Sequence, residues 1–140
     1  MSDWQNLENI ANELIKVYDI RSAPVPVESM LQHPLDDMWD DIDISKLSGS
    51  FINVKDYYSP RMSLARLLAR HIISSPWGKD RNLTTIRQDE EAMRAFARML
   101  MMPSQMVMSL SPTSRTPERL SIHFEVPLDD AETRLRDLGI

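Results

Sequence analysis

Apolar residues recur at three- and four-residue spacing over most of this chain. Trp4, Leu7, Ala11, Leu14 and Tyr18 share one face of a helix that the spacing predicts up to about Asp19, opened by a capping box of Ser2 and Gln5. Both prolines of Ala23-Pro24-Val25-Pro26-Val27 lack the amide donor, so an extended connector follows, then a short helix over 27–31. From Met38 to Val54 the pattern changes to short apolar pieces, Ile42 and Phe51-Ile52-Asn53-Val54, around a turn-like stretch over 46–50. These predict strands of a small antiparallel sheet. Beyond Pro60 the helical period returns. Leu64, Leu67, Leu68, His71 and Ile72 form one stripe, and Ala92, Met93, Phe96, Met99 and Leu100 form another in a helix over 89–101 that Pro103 stops or restarts. Thr116-Pro117-Glu118 reads as cap, first-turn proline and acidic first turn of a helix reaching Phe124. A last helix over 128–138 ends at Gly139. The pattern thus predicts an α+β domain dominated by helix.

Composition narrows the chemistry. The 140 residues suit a single domain spanning 1–140, and 42% hydrophobic residues are enough for a core. There is no cysteine, which excludes disulfides, thiolate metal sites and a cysteine nucleophile. No apolar run approaches the roughly 20 residues of a membrane span, and the N-terminus lacks a signal-peptide pattern, so a cytoplasmic protein is expected. The net charge of −5 is unevenly spread: residues 1–60 carry 11 acids against 4 bases, whereas residues 61–140 carry 10 against 12. Neither part has the concentrated basic face of a nucleic-acid binder.

Three separated segments then match one pattern. Residues 61–73 (RMSLARLLARHII), 90–103 (EEAMRAFARMLMMP) and 120–140 (ending RLRDLGI) resemble, in order and spacing, the ImmA/IrrE family of zinc metallopeptidase-like domains. In that family a helix reading Leu-Ala-His-Glu-Leu-Gly-His precedes a helix ending in Leu-Leu-Met-Pro. With the N-terminal helix and the proline-rich connector, the resemblance spans nearly the whole chain. It implies a mostly helical, zincin-like metallopeptidase fold with a small antiparallel sheet after the N-terminal helices. It also implies a setting in regulatory proteolysis, where metal-bearing members act on repressors tied to mobile elements or stress responses.

The family's chemistry does not carry over. An HExxH site needs two imidazoles four residues apart on one helix face and a glutamate as general base on the metal-bound water. Aligned on Ser63-Leu64-Ala65, the imidazole positions hold Arg66 and Arg70, and the glutamate position holds Leu67. Guanidiniums repel a dication, and leucine accepts no proton. The family's third ligand position keeps a carboxylate, Glu90. His71 lies one residue past the second ligand position and shares the apolar stripe, so it reads as a core-edge histidine. His33 and His123 are isolated. No metal and no other cofactor is therefore expected, and the chain reads as a pseudo-enzyme. Glu90 could meet Arg66 or Arg70 across the two helices. Local pairing with Arg94 at i, i+4 is the simpler expectation.

Other features have plainer readings. Five methionines within ten positions (Met99, Met101, Met102, Met106, Met108) could make an adaptable binding surface, but their spacing with Phe96 favours core filling. The acidic run from Asp36 to Asp43 lacks a regular calcium loop and reads as a solvated edge. The last two helices have helix-turn-helix spacing. However, the second carries Asp129, Asp130, Glu132 and Asp137 against Arg134 and Arg136, a poor balance for facing phosphate, so the pair is assigned to the domain's own packing. The residues thus point to a regulatory module that binds another protein, repressor- or regulator-like, with neither a membrane nor nucleic acid as its partner. A DNA-associated regulator and a hydrolase with atypical metal ligands remain the alternatives.

Overall fold

A computed structural model describes residues 3–41, 58–86 and 89–140. Among them the regular structure is helical: α1 (Asp3–Val17), α2 (Val27–Gln32), α3 (Ser59–Ser74), α4 (Pro76–Lys79), α5 (Glu90–Met101), α6 (Ser104–Met108), α7 (Pro117–Phe124) and α8 (Leu128–Leu138). Two short 3-10 turns lie at Leu83–Thr85 and Pro112–Ser114. The caps follow from the side chains present. The Asp89 carboxylate accepts the Ala92 amide at 2.8 Å, and the Thr116 hydroxyl accepts the Arg119 amide at 3.2 Å. Both Asp19 (φ 52°) and Gly139 (φ 74°) take the left-handed turn that closes a helix. Because Ile20 N–H reaches back to the Ile15 carbonyl at 2.9 Å, α1 ends at Val17, slightly before the predicted Asp19.

Burial shifts two of the expected stripes. On α1 the buried face is Leu7, Ile10, Ala11 and Leu14. Including Ile10 turns its centre away from Trp4, which is 43% exposed. On α3 the buried set widens to Met62, Ser63, Leu64, Ala65, Leu68, Ala69, Ile72 and Ile73, while Leu67 and His71 are only half-buried. A helix covered on several sides needs more than one apolar stripe, and α3 packs against α2, α4 and α5. At its end α4 presses directly onto its last turn. A Cβ at Gly78 would collide with the Ile72 carbonyl, so that approach requires glycine. The core continues through Met93, Phe96, Ala97 and Leu100 of α5 and through Leu120, Phe124, Ala131 and Leu135 of α7 and α8.

The expected α+β class, with its antiparallel sheet after the N-terminal helices, is corrected: no strand is present among the described residues. The pieces read as strands, Ile42 and Phe51 to Val54, lie outside those residues. Met38 and Trp39, where the apolar pattern changes, are buried in irregular chain, and Trp39 donates Nε1–H to the Leu31 carbonyl at 3.3 Å. The described core is built from helix faces, with α3 packed against α2, α4 and α5, together with buried residues of irregular chain such as Val25, Met38, Trp39 and Val126. The methionine cluster enters this core in part. Met99, Met101 and Met102 are buried, Met106 packs at the edge, and Met108 is exposed.

Arginines tie segments that are distant in sequence. Arg61 at the start of α3 donates to both Glu28 oxygens (2.8 and 2.9 Å), to the Val25 carbonyl (2.8 Å) and to the Glu125 carbonyl (3.3 Å). It thereby joins the connector, α2 and the α7 end. Arg81 grips Glu13 of α1 through Nε and Nη2, donates to the Trp77 carbonyl at 3.0 Å and lies 3.7 Å over the Trp77 ring. That hydrogen bond holds the Glu13 carboxyl below its ordinary range. Arg134 of α8 is 1% exposed; it meets both Glu8 oxygens (2.5 and 2.7 Å) and the Met102 carbonyl (3.0 Å). Removing one member of such a buried pair strands the other charge. Arg134→Met should therefore lower unfolding free energy by roughly 3 to 5 kcal/mol, and adding Glu8→Leu should restore most of it. Equilibrium urea unfolding of the two variants checks both outcomes, and a double variant no better than the single would refute the stranded charge as the cause.

Candidate functional site

Helix α3 packs against α5, and α5 against α8. Between the three is a cleft of about 500 Å³. Ser59, Met62, Ser63 and Arg66 line it from α3, Arg94 and Arg98 from α5, and the stretch from Pro127 to Asp130 from the α8 start. Helical spacing explains the arginine pair. Arg94 and Arg98 are four apart, so both project from one side of α5. Like charges at that spacing repel unless an anion lies between them, and Asp130 supplies it. Arg94 donates Nε–H and Nη2–H at 2.9 and 2.6 Å, and Arg98 donates Nε–H at 2.9 Å. Asp130 is only 1% exposed. Its hydrogen bond is the main reason that the Arg94 guanidinium holds its proton more tightly than usual, against the opposing effect of burial.

Of the positions singled out by family resemblance, Arg66 lines this cleft. Arg66, in the first imidazole position, lies with Nη1 3.4 Å from Glu90 Oε1 across the α3–α5 boundary and donates Nη2–H to the Ser63 hydroxyl at 3.2 Å. The expected local partner of Glu90, Arg94, turns instead to Asp130. Glu90 itself is 83% exposed, so its contact with Arg66 is screened by water and contributes at most about 1 kcal/mol. Arg70 is exposed one turn further along α3, and Leu67 is half-buried. The structure therefore brings Arg66 and Glu90 together and leaves Arg70 and Leu67 apart from them.

This donor set does not fit zinc. A structural or catalytic zinc site takes its ligands from imidazole, thiolate or carboxylate, and here the ligand positions offer one solvent-facing carboxylate, Glu90, with the Arg66 guanidinium 3.4 Å from it. Among the described residues no group of three or more His, Asp or Glu is placed to hold a metal ion. His33 and His123 are exposed at separate places, His123 edge-on to the Phe124 ring. Asp36, Asp37, Asp40 and Asp41 are exposed along an irregular stretch whose Asp37 carbonyl accepts the Trp77 amide at 2.7 Å. The rest of that acidic run lies outside the described residues.

Arg98, Asp130 and Arg134 were not singled out by the sequence as parts of a buried network. Their signal was the i, i+4 repetition itself: Arg94 with Arg98, and Asp130 with Arg134, each on a helix whose apolar face lay elsewhere. Comparisons of the chain with family models, with curated proteins and with solved structures return no match.

His71 provides a measurable handle on α3. Burial pulls its pKa below the ordinary 6.5, and Asp40 opposes the shift. The unfolded chain then binds the proton more readily than the folded one. Stability from this group is present above about pH 6.5 and is lost as the pH falls from there towards the lowered folded value. Urea midpoints should therefore fall on acidification from about pH 7.5 to 5.5, and His71→Gln should flatten that part of the profile. Wild type and variant curves running parallel would show that His71 is not responsible.

Proposed function

We propose that this chain is a zinc-less, non-catalytic relative of the ImmA/IrrE metallopeptidases that works by binding another protein, a repressor or similar regulator. Its setting would be a cytoplasmic circuit governing a mobile element or a stress response. The observation that carries the reading is the Arg66–Glu90 contact at 3.4 Å: two positions to which the family gives metal ligands lie together across α3 and α5, yet one of them bears a fixed positive charge. A protonated guanidinium neither coordinates a cation nor abstracts a proton, so the site cannot run the family's hydrolysis.

The surroundings favour a protein over a nucleic acid as partner. On α8 the side chains of Asp130 and Arg134 are buried against α5 and α1, while Asp129, Glu132 and Asp137 are exposed. A face so composed repels phosphate. No helix among the described residues is long and apolar enough to cross a membrane.

Metal content supplies the test. Wild-type protein purified without chelator should carry well under one zinc per chain and leave peptide substrates uncleaved. The triple variant Arg66→His, Leu67→Glu, Arg70→His restores two imidazoles at i, i+4 beside Glu90, and it should take up close to one zinc per chain by elemental analysis. Stoichiometric zinc on the wild type would overturn the pseudo-enzyme reading. A folded triple variant that stays metal-free would overturn the kinship.

A further inference from the structure

The donors in the cleft are not used up. Three guanidiniums, Arg66, Arg94 and Arg98, line it with two carboxylates, Asp129 and Asp130, and a third carboxylate, Glu90, lies 3.4 Å from Arg66. Arg98 commits only Nε to Asp130, and among the described residues its two Nη groups and Nη1 of Arg94 meet no acceptor. A guanidinium presents five donors in a planar fork, a geometry matched to the two oxygens of a carboxylate. Arg66 adds to the field. Among the described residues its one carboxylate contact is the long one to solvent-facing Glu90, and its Nε is buried without an acceptor there.

We propose that this cleft is an oxyanion site that takes one carboxylate from an acidic segment of a protein partner. The unengaged Nη edge of Arg98 holds the carboxylate, and Arg66 and Arg94 supply the surrounding positive field. The inference rests on the reading of the chain as a non-catalytic binding domain and names the chemistry its cleft accepts.

Size and donor geometry select this occupant. A volume of about 500 Å³ exceeds what a lone carboxylate fills and lies within the roughly 300 to 1,000 Å³ usual for ligand pockets, leaving room for neighbouring chain. Met62 and partly exposed Leu128 offer that chain an apolar wall. One carboxylate presents two oxygens to the unengaged Nη edge of Arg98 and adds a single negative charge. A phosphate monoester carries about −1.5 to −2 at neutral pH and would set more charge against Asp129. Duplex nucleic acid brings a charge about every 1.7 Å and would meet both Asp129 in the lining and Glu90 beside Arg66.

Titrating the full chain with a short blocked peptide carrying one glutamate, and with its glutamine counterpart, tests the site through backbone amide shifts. The glutamate peptide should bind saturably, with shifts confined to α3, α5 and the α8 start, and the glutamine peptide should bind at least about tenfold more weakly. Arg98→Gln should weaken binding by a similar factor. Because that change also touches buried Asp130, Arg66→Gln serves as the second variant; its acidic partner is in water, so the fold tolerates the loss, and binding should weaken by severalfold or more. Equal binding of the two peptides, no saturable binding, or binding unmoved by Arg66→Gln would each overturn the proposal. Tighter binding of inorganic phosphate or of a short DNA duplex would overturn it as well and reassign the cleft. Zinc content is read separately: a zinc-free protein with an unresponsive cleft loses only this inference, whereas zinc on the wild type defeats the pseudo-enzyme reading whatever the titration shows.

Discussion

A guanidinium at 1% exposure can exist in a small helical domain only if its charge is met inside, and Arg134 meets both oxygens of Glu8 there. That pair decides how α1, the end of α5 and α8 sit together, since Arg134 also donates to the Met102 carbonyl at the turn out of α5. Apolar packing supplies the cohesion but little direction, because a stripe of leucine and methionine tolerates sliding and rotation. A bidentate arginine–carboxylate pair fixes both distance and plane. Breaking such a pair on one side leaves an uncompensated buried charge, so arrangements that separate the partners are strongly disfavoured.

The same device recurs around the molecule with graded burial. Arg61 ties the connector and α2 to α3, Arg81 ties α4 to α1, and Asp130 holds two arginines of α5 against α8. At the cleft the device becomes incomplete. Asp130 satisfies one guanidinium on two atoms and the other on one, and Arg66 faces an exposed Glu90. A structural network thus runs into the cleft without a break: the carboxylate that anchors α8 also orients the arginines that line the cleft.

Much of the helical architecture was legible along the chain. Asp89, Thr116 and Gly139 cap where their side chains or lack of one dictate, and Pro103 separates α5 from α6. The expected sheet was not found among the described residues. A short apolar run carries the same period-free signal whether it enters a strand or irregular buried chain, as Met38 and Trp39 show. Glu90 and Arg94 show a second limit. Local i, i+4 rules predict their pairing, yet an exposed pair of this kind contributes only tenths of a kcal/mol, and buried Asp130 offers Arg94 far more.

The sequence alone determined which side-chain types are available: there is no cysteine, and Arg66, Leu67 and Arg70 stand where the resemblance would place two imidazoles and a glutamate. These are properties of side-chain types, and folding does not alter them. Tertiary structure decided which charges are spent and which remain. Nothing local marks Asp130 and Arg134 as buried until α5 and α1 pack against them, because burial and partner geometry depend on residues up to 126 positions away in the chain. The strength of a charge pair is set by how much water surrounds it, and only the assembled fold determines that.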